Sequence, residues 1–253
     1  AVTVKACRRI IDYSEKFDRL VSVAENYRRD PINRLVKAAL DHEVIGRPYM
    51  VYMSSVGASN NILLSAWRHM KNEGGILLDM GVHYADLLTY LLGEVDEVYG
   101  VTSLFEKLRY RRVKDGERIV DAETVECTAL DTALAILNFR NGVKGQWLLS
   151  IAGHGETLWN RIIYGSKGSI ECGLERTGTS PRVKLVSKSD YLNRNPAQMF
   201  LGVGDEAEAR GRRMLEEIVG QAYDDVTRSI FGGASIGYKM SFEEADRKLI
   251  AIE

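Results

Sequence analysis

Apolar positions recur at helical spacing through much of residues 1–93, alternate through much of residues 95–188, and return to helical spacing from Asp205. Residues 1–20 keep a helical stripe of Val4, Cys7, Ile10, Ile11, Phe17 and Leu20 among charges. The run VSVAEN, residues 21–26, is short, apolar and β-branched, and predicts a buried parallel strand. Asp30-Pro31 caps and opens a helix with Ile32, Leu35, Val36, Ala39 and Leu40 on its apolar face. Residues 49–57 predict a strand, and residues 58–73 a loop with a helical turn. A helix that ends at Gly93 comes next.

Strands follow at 95–106, 125–139, 143–153, 158–165, 168–174 and 182–188, with a charged loop or edge hairpin turning at Asp115-Gly116. Asn141-Gly142 is a strong hairpin signal, and Ser166-Lys167 makes another turn. The sequence GSKG there lacks phosphate-loop spacing and precedes a strand, so it reads as a turn. A helical pattern covers 205–231, Gly232-Gly233 breaks it, and Ser241 with Glu244 has capping-box spacing. The order predicts an α/β piece feeding an α+β domain built on one large, mostly antiparallel open sheet, with helices on one face.

The stretch from Gly74 to Gly93, GGILLDMGVHYADLLTYLLG, carries candidate chemistry. On a helix, Asp79, His83 and Asp86 fall within about 60° of one another. Met80, Tyr84, Leu87, Leu88 and Leu91 cluster roughly 120° away. A solvated face usually carries Lys and Glu; this stripe reads carboxylate, imidazole, carboxylate. Spacing alone leaves two readings open: a capping Asp79 followed by a core histidine, or a proton-transfer site. Residues 25–29, at the end of the predicted strand, are a candidate site edge, because ligands of open α/β sheets sit at carboxyl strand ends.

Composition narrows the rest. The 253 residues carry a net charge of −1, which gives no global field for nucleic acid or an anionic membrane. Cys7, Cys127 and Cys172 are widely spaced and form no CxxC pair, which points to a reducing, cytoplasmic setting. Neither HExxH nor a His/Cys pair supports a metal site. No apolar run is long enough to span a membrane.

Four stretches, in order, carry a family resemblance: VSVAENYRRDPINRLVKAALDHEVIG, WRHMKNEGGILLDMGVHYADLLTYLLG, DTALAILNFRNGVKGQW and RIIYGSKGSIEC. The chain resembles the C-terminal part of a glucose–fructose oxidoreductase/inositol dehydrogenase (Gfo/Idh/MocA) protein. The second stretch is the specific one, and residues 173–211 match poorly. The family's GxGxxG fingerprint and its E-K-P motif with a catalytic lysine would precede residue 1. The resemblance therefore implies a Rossmann remnant at 1–30 and a substrate and oligomerisation domain at 31–253.

The resemblance also implies roles. His83 would be the general acid/base of a hydride transfer from a secondary alcohol of a sugar, cyclitol or other polyol to NAD or NADP. Asp79 would bind the hydroxyl or orient the imidazole, and Asp86 would support the helix. Gly81 would leave room for ligand. Trp67, Arg68 and Tyr27 would bind substrate, while Asn26 and Arg28 would lie near the cofactor. A dimer or tetramer through the open sheet is expected. An NAD-dependent glycoside hydrolase and a non-enzymatic ligand sensor are the alternatives, although a sensor has no need of a base.

Overall fold

The computed structural model describes residues 3–172, 181–191 and 202–219. The helix α1, Val4–Phe17, begins at Thr3, whose hydroxyl accepts the Ala6 N–H at 3.1 Å. It buries none of its residues, so its apolar stripe has no partner among the described residues. Residues 21–26 do not form the expected strand. They have no regular structure and join no ladder among the described residues, and Leu20, Val21 and Val23 are exposed. A β-branched run has local preference for extension, but a ladder supplies the backbone partners that make it a strand, and the described residues offer it none.

A single 3-10 turn, Tyr27–Arg29, leads through Asp30 into α2, Pro31–Asp41. The strand β1, Pro48–Ala58, follows. Two 3-10 turns, Ala66–His69 and Lys71–Glu73, then deliver the chain to α3, Gly75–Leu92. Gly74 and Gly75 both have positive φ, at 102° and 74°, a backbone shape that costs other residues about 1–2 kcal/mol. A Cβ on Gly75 would stand 2.7 Å from that of Ala129, so this glycine also permits a close approach.

The remaining strands are β2 (Val95–Ser103), β3 (Leu108–Asp115), β4 (Arg118–Glu126), β5 (Thr132–Phe139), β6 (Lys144–Gly153), β7 (Leu158–Gly165), β8 (Gly168–Cys172) and β9 (Arg182–Leu185). Seven form one sheet in the order β2-β5-β6-β1-β7-β8-β9, and β3 and β4 form a separate hairpin. Every neighbouring pair of the large sheet is antiparallel except β1 and β6. The hairpins expected at Asp115-Gly116, Asn141-Gly142 and Ser166-Lys167 are present. The run 125–139 is not one strand. It breaks between Glu126 and Thr132 because the chain passes there from the small hairpin to the large sheet, tied by Cys127 N–H to Lys107 O and Asp131 N–H to Ser103 O.

The core lies on one face of the sheet. Ile32, Leu35 and Val36 of α2 and Tyr84, Leu87, Leu88 and Leu91 of α3 pack with Val51, Met53, Leu137, Leu149 and Ile163. The final described helix, α4 (Asp205–Val219), adds Leu215 to that core and rests on β9. On the opposite face, where side chains alternate with those of the core, Tyr99, Val101, Leu134 and Ile136 are exposed. The helical pattern at 220–231, the Gly232-Gly233 break and the Ser241–Glu244 spacing lie outside the described residues.

A buried ion pair fastens the β3–β4 hairpin to the large sheet. The Arg109 guanidinium meets Asp131 at 3.2 Å and donates to the carbonyls of Ser59, Asn61 and Ile151. Asp131 in turn accepts the backbone N–H groups of Phe105 and Glu106.

Candidate active site

Tertiary packing turns the α3 stripe into a row of three half-buried side chains. Tyr84, Leu87, Leu88 and Leu91 hold the helix against the sheet, so Asp79, His83 and Asp86 face sideways. Each meets a partner from one of two other segments. Asp79 accepts from Arg68 Nε at 2.7 Å, His83 meets Glu25, and Asp86 takes the Arg28 guanidinium in a two-pronged pair. The half-turn at residues 25–29 and the turn at 65–69 are thereby clamped to one helix face.

The central contact has a definite chemistry. His83 Nδ1 lies 2.8 and 2.9 Å from the two carboxylate oxygens of Glu25. A carboxylate only accepts, so Nδ1 carries the proton and donates it. In the neutral ring Nε2 is then a lone-pair acceptor. Burial alone would push the Glu25 carboxyl up. The Tyr27 N–H, the His83 ring and the Asn26 N–H outweigh that and hold it below the usual carboxylate range.

Tyr27 lies flat on the imidazole, with ring centroids 4.3 Å apart and planes 7° from parallel. Its ring meets Tyr84 edge-on at 5.9 Å, and Tyr84 meets Trp147 at 6.4 Å. This aromatic line ties the imidazole to the sheet. Gly81 belongs to that packing rather than to the open side of the site. A Cβ there would meet Trp147 Cη2 at 3.5 Å and Leu149 Cδ2 at 3.8 Å, ordinary packing distances, so this position faces the sheet and leaves no room for ligand. Burial pushes the Tyr84 hydroxyl up to about 12.

The other expected site residues divide. Arg68 lies 4.5 Å over the Trp67 ring and also donates to Ser65 Oγ at 3.0 Å, so Trp67, Arg68 and Asp79 form one cluster beside the imidazole's helix. Tyr27 joins His83 directly. Arg28 gives its fork to Asp86 and covers the Tyr90 ring at 5.2 Å. Asn26 is exposed, and its carbonyl accepts the Arg29 N–H. Glu25, rather than Asp79, is the carboxylate in contact with the imidazole. Sequence reasoning placed Glu25 at the site's edge but gave it no role, because its partner lies 58 residues away.

His69, which ends the turn next to Arg68, is a buried core histidine. Its Nε2 accepts the Leu63 N–H at 3.0 Å. Burial first, then the charges of Arg109 and Arg68, push it down to about 4 against the pull of Asp131. The sign for stability follows. Between about 6.5 and 4 the unfolded chain binds a proton that the folded chain refuses. His69 therefore stabilises the fold fully above about 6.5, and this contribution is lost as pH falls towards 4. In urea unfolding at pH 7 and pH 4.5, the wild type is expected to lose more stability than His69→Gln. Equal losses would remove His69 from the acid response.

Comparison with known proteins identifies the family of the domain. Residues 33–171, more than half of the chain, match the GFO/IDH/MocA C-terminal domain. The chain is 28% identical over 166 residues to myo-inositol 2-dehydrogenase of Thermotoga maritima, covering 64% of this chain and 43% of that protein. It is 30% identical over 187 residues to levoglucosan dehydrogenase of Pseudarthrobacter phenanthrenivorans, covering 68% and 46%. The chain thus matches less than half the length of these curated relatives. The structure of levoglucosan dehydrogenase in complex with NADH and levoglucosan shares the fold, with a TM-score of 0.61 and 21% identity over 100% of this chain and 70% of that one. From the domain match, the ordered motifs and the shared fold, this chain belongs to the Gfo/Idh/MocA family.

Proposed function

We propose that this chain supplies the substrate side of an NAD(P)-dependent oxidoreductase acting on a secondary alcohol of a sugar, cyclitol or related polyol. The observation that carries this reading is the Glu25–His83 contact, which leaves Nε2 as the free acceptor on a partly exposed imidazole. An acceptor held in that way suits removal of a hydroxyl proton. His83 Nε2 takes the proton as the substrate's C–O bond becomes a carbonyl. Arg68 and Asp79 bind neighbouring hydroxyls by donating and accepting, and the Trp67 ring gives a sugar's apolar face a surface to stack on.

The described residues fit only part of a dinucleotide. A pyrophosphate is cradled at a glycine turn between a strand and a helix. Among the described residues, Gly74-Gly75 follows a 3-10 turn, and Gly165 to Gly168 joins two strands. Neither has that form. Asn26 and Arg28 are the residues we assign to the nicotinamide end. When bound, the cofactor is the two-electron oxidant that accepts the substrate's C–H pair. The solved relatives that carry NADH favour NAD over NADP.

Residues 1–30 are assigned to the nucleotide-binding side and 31–253 to the substrate side. The exposed stripe of α1 and the unpaired run at 21–26 support that division. The exposed Tyr99, Val101, Leu134 and Ile136 form an apolar face that suits a second copy of the chain. Light scattering is expected to give a dimer or tetramer, and Ile136→Asp with Leu134→Asp is expected to reduce it to a smaller species. A wild-type monomer would overturn that assignment. Free cysteines, two of them buried, suit a reducing, cytoplasmic setting.

A panel of polyols and sugars, read by NAD(P)H absorbance with the full-length protein, tests the activity. Cofactor reduction by a cyclitol or sugar is the expected result. Release of sugar from a glycoside without net NADH formation would replace the reading with a hydrolytic one. No turnover of either kind would overturn it.

A further inference from the structure

We propose that Glu25 is the positioning residue for His83. It fixes which ring nitrogen faces the substrate and steadies the charge that the ring acquires on taking a proton. The inference rests on the reading of His83 as the base. Both carboxylate oxygens of Glu25 lie within hydrogen-bond distance of Nδ1, at 2.8 and 2.9 Å. The Glu25 side chain is 10% exposed and that of His83 is 30% exposed, so the contact is sheltered while the ring keeps an open side.

The carboxylate is itself held in place. Its Oε1 accepts the Tyr27 N–H at 3.0 Å, and the Tyr27 carbonyl accepts from Asn33 Nδ2 at 2.8 Å. The Tyr27 ring covers one face of the imidazole and blocks its tilt. The other charged groups near the ring are committed elsewhere. Asp79 pairs with Arg68, and Asp86 pairs with Arg28. Glu25 is thus the acid that meets the imidazole among the described residues.

Without Glu25 the neutral ring has no strong acceptor for Nδ1–H. The alternative tautomer, with the proton on Nε2, then becomes populated and presents a donor to the substrate hydroxyl. That form cannot accept the hydroxyl proton. Glu25 does not take the proton from His83. Its carboxylate stays ionised beside the imidazolium, as the acid of a catalytic triad does. The device lies across two segments: the base belongs to α3 and its orienting group to the half-turn before α2. Docking of residues 25–29 onto the helix therefore arms the base.

Two measurements on the full-length protein test this. In long-range 1H–15N spectra of 15N-histidine-labelled protein, neutral His83 is expected to show the Nδ1–H tautomer. Glu25→Ala is expected to shift it towards Nε2–H, while Glu25→Gln, whose amide oxygen still accepts, keeps most of the wild-type pattern. In kinetics, Glu25→Ala is expected to lower kcat by about 10- to 100-fold, less than the 10²–10⁴ loss typical of removing a general base itself. KM is expected to stay within about twofold, and Glu25→Gln to fall between Glu25→Ala and wild type. Added to His83→Ala, Glu25→Ala is expected to cost nothing more, because groups acting as a unit are not additive. An unchanged tautomer, or unchanged kcat in Glu25→Ala, would overturn the role of Glu25. Near wild-type turnover in His83→Ala, with the tautomer as expected, would instead overturn the assignment of the base.

Discussion

Replacing His83 with alanine in the full-length protein is expected to lower turnover by about 10² to 10⁴-fold, the range for losing a general acid–base. The argument is geometric. The imidazole projects from a helix anchored by Tyr84, Leu87, Leu88 and Leu91, is covered on one face by Tyr27, and has its Nδ1–H committed to Glu25. Only Nε2 is left to meet a substrate. A base fixed in this manner contributes chiefly to the chemical step, so kcat is expected to fall more than KM rises. Removing the ring also takes one contact from each of Tyr27 and Glu25, so circular dichroism and cofactor affinity of the variant should be checked against wild type. A folded variant with near wild-type turnover would exclude His83 from the mechanism.

The second large effect concerns stability. Asp131→Ala is expected to destabilise the protein by about 3–5 kcal/mol, the cost of breaking a buried ion pair from one side. Arg109 would stay buried and charged, with the neutral carbonyls of Ser59, Asn61 and Ile151 still around it. The N–H groups of Phe105 and Glu106 would lose their acceptor as well. Urea unfolding should show the midpoint fall at an unchanged slope. A loss below about 0.5 kcal/mol, the scale of an ordinary surface change, would show that the pair does little for the fold. The double replacement of Arg109 and Asp131 by apolar residues of similar volume is expected to cost less than Asp131→Ala alone, because it removes both buried charges.

The α3 helix was legible because its signals are local. The glycine pair turns the chain, the leucines keep helical spacing, and Gly93 ends it. Asn141-Gly142 likewise marked its hairpin without help from distant residues. The failure at 21–26 has the opposite cause: an apolar β-branched run states a preference, whereas a strand exists only with neighbours to pair with. Gly81 was misplaced because angular position on a helix does not say which surface the helix will meet, and here it meets Trp147. Three of the expected site residues, Arg68, Asp79 and His83, could be grouped by sequence proximity and family pattern. Glu25 could not, since nothing in an extended run ending in glutamate tells which distant side chain it will touch. The Arg109–Asp131 pair was invisible for the same reason: an arginine on a polar hairpin reads as solvated until the fold brings it to a distant aspartate and buries both.

The parallel pairing of β1 with β6 at the centre of the sheet has a consequence for how the molecule forms. Met50 pairs with Lys144 and Ser54 with Leu148, and the whole path through α3, the small hairpin and β5 lies between them. The β5–β6 and β7–β8 hairpins can zip from adjacent residues, but β1 must close a long loop to reach either β6 or β7 before any contact repays the entropy. Contacts of such sequence separation place the domain among slow-folding topologies. The seam joins the β2-β5-β6 half of the sheet to the β1-β7-β8-β9 half, so its closure completes the platform beneath α3. Asp79, His83 and Asp86 would then reach their final places late in folding, so recovery of tertiary signal on refolding is expected to lag behind recovery of helical signal.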